Sequence, residues 1–432
     1  MTSGEKQLIM FKTTMALIVR AIAGVALFAS YTVVTRLLEQ DEAGKYFLMF
    51  TIVTVLGVVA RQGLDGAVIR FTSAYESVGD WVCVNGVIKL ALVRVFFFSV
   101  IITIAVWLFA DRIAAEVFNK PTITPLLKLA ALSVPFLSIS YLLARAMMGL
   151  HDALSSIFFQ NIGVPLLMVL IFLCGNLIGF ESSAKSATVA LLIANVVIFF
   201  TALFWWFRGK ELWWGGEFEK KKLRNSATPL YTVALMMLMV NWGGHLCAAY
   251  WPSVSDYVQL SVAQRISQLV SVVLPVINLV VAPRFSALYQ AGDISGIARI
   301  ALFAVKVSTI SAFPVVMIIC LFPAWVLSFF GDGFNGAIGA LIILMIGEFV
   351  NVITGSTGFL LAMTGHEKDS RNVALIAGPL TILLSVVLTP HFGLIGSACA
   401  TSAGMVVLNL GACWMVYRRL GFNALAVWRR NQ

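Results

Sequence analysis

The chain has 432 residues, 60% of them hydrophobic and only 12% charged, with a net charge of +10. A soluble domain carries roughly twice that share of charge, so the composition excludes a soluble enzyme or binding module and points to the membrane. Long unbroken apolar runs also exclude an outer-membrane barrel, whose strands alternate over about ten residues.

A helix crosses the hydrocarbon core with about 20 apolar residues. In chain order, such stretches predict spans over 13–35, 44–63, 84–109, 123–147, 153–178 and 184–207. A polar segment follows at 208–226. The second set covers 227–250, 257–281, 297–321, 337–363, 371–389 and 392–417, with Pro314 and Pro323 interrupting the apolar run from Phe313 to Phe330. The expected fold is all-α and integral to the membrane, with about twelve transmembrane helices. They divide into an N-terminal six-helix lobe over 1–207, a cytoplasmic linker over 208–226 and a C-terminal six-helix lobe over 227–432. Residues 1–12 lead straight into the first span with no small-residue cleavage site, so no secretory signal is expected. The six cysteines are scattered without a close pair and read as small apolar residues.

Lys and Arg placement sets the topology. With the N-terminus inside, nineteen of these residues fall in inner loops and ends and six in outer loops. Both termini are therefore expected in the cytoplasm. The positive charge is spread over many loops beside spans, so it is a topology signal and not a nucleic-acid surface.

The chain also repeats itself. Arg70-Phe71, Ser73-Ala74-Tyr75 and Gly79-Asp80 are answered by Arg284-Phe285, Ser286-Ala287, Tyr289 and Gly292-Asp293. Ala146-Met147-x-Gly149 with His151 pairs with Ala362-Met363-x-Gly365 with His366, Phe118-Asn119 with Phe334-Asn335, and Glu42 with Asp256. Offsets of 213 to 216 residues are too long for a solenoid and read as a duplicated domain. Six spans per copy make the repeat parallel, a transporter architecture with a cavity expected between the lobes. In the linker, Trp213 and Trp214 suit a segment lying on the membrane surface.

Charge near the bilayer centre costs about 2.5–3.5 kcal/mol on insertion scales. The residues that incur it are Arg20, Lys89, Arg94, Arg265, Lys306 and Glu348. Lys89 can snorkel to the inner surface. Arg94 and Lys306, 212 residues apart in the third span of each repeat, sit too deep for that and are read as lining a cavity. Arg20 and Arg265 are divided between partial snorkelling and function. A cationic interior attracts anions, and arginine matches phosphate oxygens with paired donors. Glu348, the one deep carboxylate, either pairs with a cation such as Lys306 or carries a coupling ion. Asp65, between Arg61 and Arg70, is expected to form ion pairs. Arg70, Asp80, Arg284 and Asp293 are candidates for a cytoplasmic gate. No metal-ligand spacing, nucleophile motif, phosphate-binding loop or nucleotide-binding domain is present, and no cofactor is expected. The four histidines are dispersed; His245 reads as a packed, hydrogen-bonded residue.

Several segments resemble one family. Glu42-Ala43-Gly44-Lys45-Tyr46, Gly63-Leu64-Asp65-Gly66-Ala67 through Ile69-Arg70-Phe71 to Gly79-Asp80, Phe330-Gly331-x-x-Phe334 and Gly365-His366-x-Lys368 are similar to elements of the Wzx-type polysaccharide flippases. These belong to the multidrug/oligosaccharidyl-lipid/polysaccharide (MOP) superfamily with its MATE-like fold, and the likeness runs over essentially the whole chain. The resemblance implies a bacterial inner-membrane protein. It would move an undecaprenyl-pyrophosphate-linked oligosaccharide, an O-antigen or exopolysaccharide unit, from the cytoplasmic to the periplasmic leaflet. It implies membrane lipid, a polysaccharide polymerase and chain-length proteins as partners, and leaves the coupling ion open between H+ and Na+. Functional arginines of related flippases in the first, second and eighth spans draw attention to Arg20, Arg61 and Arg265. The family often carries an acidic residue near Asn241-Trp242-Gly243-Gly244-His245, where this chain has His245. The alternatives are an ion-coupled multidrug or metabolite antiporter of the same superfamily and a membrane glycan ligase or polymerase.

Overall fold

The computed structural model describes residues 19, 22–208, 218–250 and 254–424. Arg20, Trp213 and Trp214 lie outside them. All regular secondary structure among the described residues is helical. Eight helices there are long and apolar enough to cross a membrane, or nine when the bent pair Pro121–Ala131 and Ser133–Gly149 is taken as one span. The chain is a multi-pass membrane protein.

The helices follow the expected order. They are α1 (Ile22–Leu37), α2 (Gln40–Arg61), α3 (Leu64–Glu76), α4 (Trp81–Arg112), α5 (Thr124–Ala131) and α6 (Ser133–Gly149). Then come α7 (Ala153–Leu177, with a π turn at Phe158–Ile162), α8 (Ala184–Arg208) and α9 (Lys220–Tyr250). After them run α10 (Val254–Ser267), α11 (Leu274–Gln290) and α12 (Ile294–Leu321). The last are α13 (Pro323–Ser328), α14 (Ile338–Thr354), α15 (Thr357–Met363) and α16 (Glu367–Leu420). At 1.5 Å per residue a helix as long as α16 spans about 80 Å, far more than a bilayer. It is divided at Gly393, whose φ of 54° and ψ of −129° open a region only glycine occupies freely, three residues after Pro390. The two halves are the eleventh and twelfth spans. The second and eighth spans are also broken, as α2/α3 and α10/α11.

The chain divides into two compact units, Met1–Leu235 with Pro252–Val258 and Met236–Trp251 with Gln259–Gln432. In the first, Leu64, Val68, Val84, Val87, Leu142, Leu143, Met147 and Ile198 form a buried core joining α3, α4, α6 and α8. In the second, Phe285, Ile297, Ala304, Leu360, Leu361 and Val416 join α11, α12, α15 and α16. The outer face of α4 remains apolar: Phe97 is 59% exposed, Ile101 57% and Leu108 65%. In a membrane protein such a face suits contact with lipid.

The duplicated Gly-Asp is a helix–turn–helix joint. Gly79 and Gly292 have φ of 73° and 72° and end α3 and α11. The next amide reaches back to the Tyr75 carbonyl at 2.9 Å in one copy and to the Leu288 carbonyl at 3.0 Å in the other. Asp80 and Asp293 then cap α4 and α12, accepting from the Cys83 amide at 3.0 Å and the Gly296 amide at 2.7 Å. In the Ala-Met-x-Gly copies, the left-handed residue is His151 in one and Gly365 in the other, followed by the cap positions Asp152 and His366. The structural pairing is thus His151 with Gly365 and Asp152 with His366. It replaces the match of His151 with His366 that the letters suggest.

Candidate functional site

Polar side chains gather where the second and eighth spans break. In the first unit, α2 ends at Gln62 and Gly63, both left-handed with φ of 49° and 73°. A Cβ on Gly63 would lie 2.4 Å from the Tyr231 amide nitrogen, so the close approach of α9 requires glycine there. Arg61, only 5% exposed, donates from Nε to Asp65 Oδ2 at 3.0 Å across the break. Its guanidinium also lies 4.1 Å over the Tyr141 ring. Arg94, entering from α4, donates from Nε to Gln62 Oε1 at 2.7 Å. Asp65 Oδ1 is buried without a hydrogen-bond partner among the described residues. The cluster therefore holds two cations against one carboxylate.

In the second unit the break is a 3₁₀ turn, Gln268–Ser271, between α10 and α11. Arg265 donates to Gln268 Oε1 at 2.9 Å and lies 5.8 Å over the Trp242 ring, which in turn meets His245 edge-on. The Ser271 hydroxyl is 3.2 Å from the Gln268 carbonyl oxygen and also hydrogen-bonds the Glu348 carboxylate. Asn351 Nδ2 approaches Glu348 Oε2 at 3.4 Å. Glu348 is 3% exposed and makes no ion pair among the described residues. Trp242, His245, Arg265, Gln268, Ser271, Glu348 and Asn351 thus form one chain of contacts inside this unit.

The two breaks share a device. Each carries an arginine bonded to a glutamine side chain at the point where helical hydrogen bonding lapses. In a bilayer, irregular backbone survives only where it is buried in protein or lines a polar cavity. Discontinuous helices of this kind are where transporters hold polar ligands. Gln62 and Gln268 do not stand out in the sequence. The available signals were a Gln-Gly step at the end of an apolar run and two glutamines, Gln264 and Gln268, inside the eighth.

The Lys306 side chain is exposed on α12, on the same stripe as the exposed Phe303, Ile310 and Phe313. The capping aspartates, 213 residues apart, align Lys306 with Val93 and not with Arg94. One residue turns a helix by about 100°, so the two deep cations point differently from their helices. Arg70 and Arg284 are exposed, while Asp80 and Asp293 spend carboxylate oxygens on their own helix ends. The Cys83 amide holds the Asp80 carboxyl below its ordinary range; the Ser295 hydroxyl and the Gly296 amide do so for Asp293. Arg20 lies outside the described residues. No group of His, Cys, Asp or Glu among the described residues is arranged to hold a metal ion.

The fold is shared with solved transporters. The inward-facing conformation of a multidrug resistance MATE family transporter of the MOP superfamily matches with a TM-score of 0.75 at 16% identity, covering 94% of this chain and 98% of that one. The MATE multidrug transporter DinF-BH matches with a TM-score of 0.70 at 18% identity over 96% of each chain. A MOP superfamily transporter from Pyrococcus furiosus Vc1, for which reversed polarity of the binding pocket suggests a different function, matches with a TM-score of 0.66 at 16% identity over 97% of each. Among curated proteins, none matches this sequence. The family model described as polysaccharide biosynthesis protein matches residues 33–338. On a MOP transporter fold, and in keeping with its resemblance to the Wzx-type flippases, the chain belongs to the polysaccharide biosynthesis protein family.

Proposed function

We propose that this chain is a flippase. It carries an undecaprenyl-pyrophosphate-linked oligosaccharide from the cytoplasmic to the periplasmic leaflet of a bacterial inner membrane by alternating access. The observation that carries this reading is the arginine–glutamine pair at both helix breaks, Arg94 with Gln62 and Arg265 with Gln268. A pyrophosphate needs several donors in a low-dielectric setting, and guanidinium groups supply them with matching geometry. The glutamines hold the guanidinium groups at the breaks, and Gln62 engages only the Nε of Arg94. Membership of a polysaccharide biosynthesis family supports the sugar-bearing cargo. Lys306 and Arg61 complete the proposed cationic set, with Arg61 acting through its pair with Asp65, and the Arg70/Asp80 and Arg284/Asp293 turns form the proposed cytoplasmic gate.

Deleting the gene in its host removes surface polysaccharide, and wild-type protein restores it. Arg94→Ala and Arg265→Ala, at wild-type protein levels, do not. Full polysaccharide in both variants overturns the cationic-site reading.

One observation favours a second reading, an ion-coupled antiporter of drugs or metabolites. Glu348 is buried among Ser271 and Asn351 without an ion pair among the described residues, a setting suited to holding a coupling H+ or Na+. A deletion strain with altered drug tolerance and intact polysaccharide selects that reading.

A further inference from the structure

A cleft in the first unit lies apart from both helix breaks. It has a volume of about 620 Å³ and opens where α3 ends, α4 begins and the chain enters α9. Its cations are Lys89, Lys220 and Lys222, against one carboxylate, Glu219. Lys222 Nζ donates to the Tyr75 hydroxyl at 2.8 Å and lies 5.4 to 5.8 Å from the rings of Phe71, Tyr75 and Phe218. An ordinary surface lysine loses rotamer freedom when it grips a ligand. This one is already held, so that cost is reduced on binding.

The cleft is amphipathic along its length. Its lining is mostly charged and aromatic, and Trp81 at the start of α4 is 42% exposed, as suits the interface between water and lipid. Lys89 lies eight residues into α4, about 12 Å along the helix axis. Leu90 also lines the cleft, and from it the exposed Val93, Phe97, Ile101 and Ile104 run on at helical spacing. A headgroup anion seated on the lysines would therefore have an apolar track beside it for its chain. A soluble anion has no use for that track.

We infer that this cleft binds the phosphate headgroup of a membrane lipid, a phosphate monoester or diphosphate, with the acyl or prenyl chain lying along α4. The inference does not rest on the transport reading, because it holds whatever molecule the protein moves.

Cys83 lines the cleft and is half-buried, so it reports occupancy in the native full-length chain. Maleimide labelling of Cys83, read by peptide mass spectrometry, is measured on protein in phosphatidylcholine nanodiscs. Phosphatidic acid at about ten times its dissociation constant slows labelling roughly tenfold. Diacylglycerol with the same chains and inorganic phosphate do not slow it. The double variant Lys89→Gln/Lys222→Gln loses the protection, while Lys128→Gln, in α5, keeps it. Equal protection by diacylglycerol, or protection that survives the double variant, overturns the headgroup site. Equal protection by inorganic phosphate overturns the lipid assignment. No protection by phosphatidic acid overturns both.

Discussion

Arg61 shows how one residue can look like a ligand group and act first on the fold. It is almost fully buried, bonded to Asp65 and stacked on Tyr141. Removing one partner of a buried pair leaves an uncompensated charge and costs about 3–5 kcal/mol. Arg61→Ala should therefore lower the thermal midpoint of the protein in nanodiscs sharply, and adding Asp65→Ala should recover part of the loss. Arg61→Lys should fail to restore the midpoint fully, because a point ammonium does not stack on Tyr141 as a planar guanidinium does. Arg94 differs: its hydrogen bond to Gln62 leaves it only partly buried. Gln62→Ala is expected to reduce transport through Arg94 while leaving the unfolding free energy within about 1 kcal/mol of wild type. A fall as large as that of Arg61→Ala would make Gln62 a fold residue instead.

At the scale of elements, the repeated Gly-Asp turn has a pH signature. Hydrogen bonds to the Asp80 and Asp293 carboxylates hold both below their unfolded range. The stability they contribute is fully present above the unfolded carboxylate pKa and is lost as pH falls through the lower folded value. Melting midpoints measured from pH 7 to pH 3 should fall less steeply in Asp293→Asn, which still caps but does not titrate. Asp293→Ala should lie lower than wild type at neutral pH and converge with it in acid. An unchanged pH profile in both variants would remove the cap from the account. Gly393 gives the second element-level prediction. A side chain at φ 54° and ψ −129° is strained by about 1–3 kcal/mol, so Gly393→Ala should lower the midpoint and the yield of membrane-inserted protein.

For the whole molecule, the prediction concerns asymmetry between the repeats. Arg94 and Arg265 hold glutamines at their breaks, whereas Lys306 is exposed beside Phe303 and Ile310. Side-by-side complementation of a deletion strain should therefore grade the variants. Arg94→Ala and Arg265→Ala should abolish surface polysaccharide, roughly a hundredfold loss if one charge-assisted contact of about 3 kcal/mol is removed from the bound headgroup. Lys306→Ala should retain more activity than either. Lys306→Ala as defective as Arg94→Ala would show that Lys306 carries as much of the headgroup as the arginines at the breaks.

The order of the spans, their helical character and the duplication were legible in the sequence, because hydropathy and charge placement are local quantities that a bilayer reads directly. So were the flippase-like segments and the deep charges. What those charges touch was not legible. Gln62 and Gln268 look like stray polar residues in apolar runs, and only the helix breaks give them partners. The letters place Arg94 and Lys306 as a matched pair at 212 residues, while the capping aspartates place the repeat at 213. A difference of one residue is invisible in a hydropathy profile, yet it turns a helix by about 100°. It decides which cation bonds a glutamine and which is exposed. Glu348 likewise sits with Ser271 and Asn351, neutral partners brought from the break of the eighth span and from its own next turn. Sequence alone determined that charges would be buried in this membrane protein. Tertiary structure decided their partners, because partner choice depends on helix rotation and on where a helix stops, and both are set by packing.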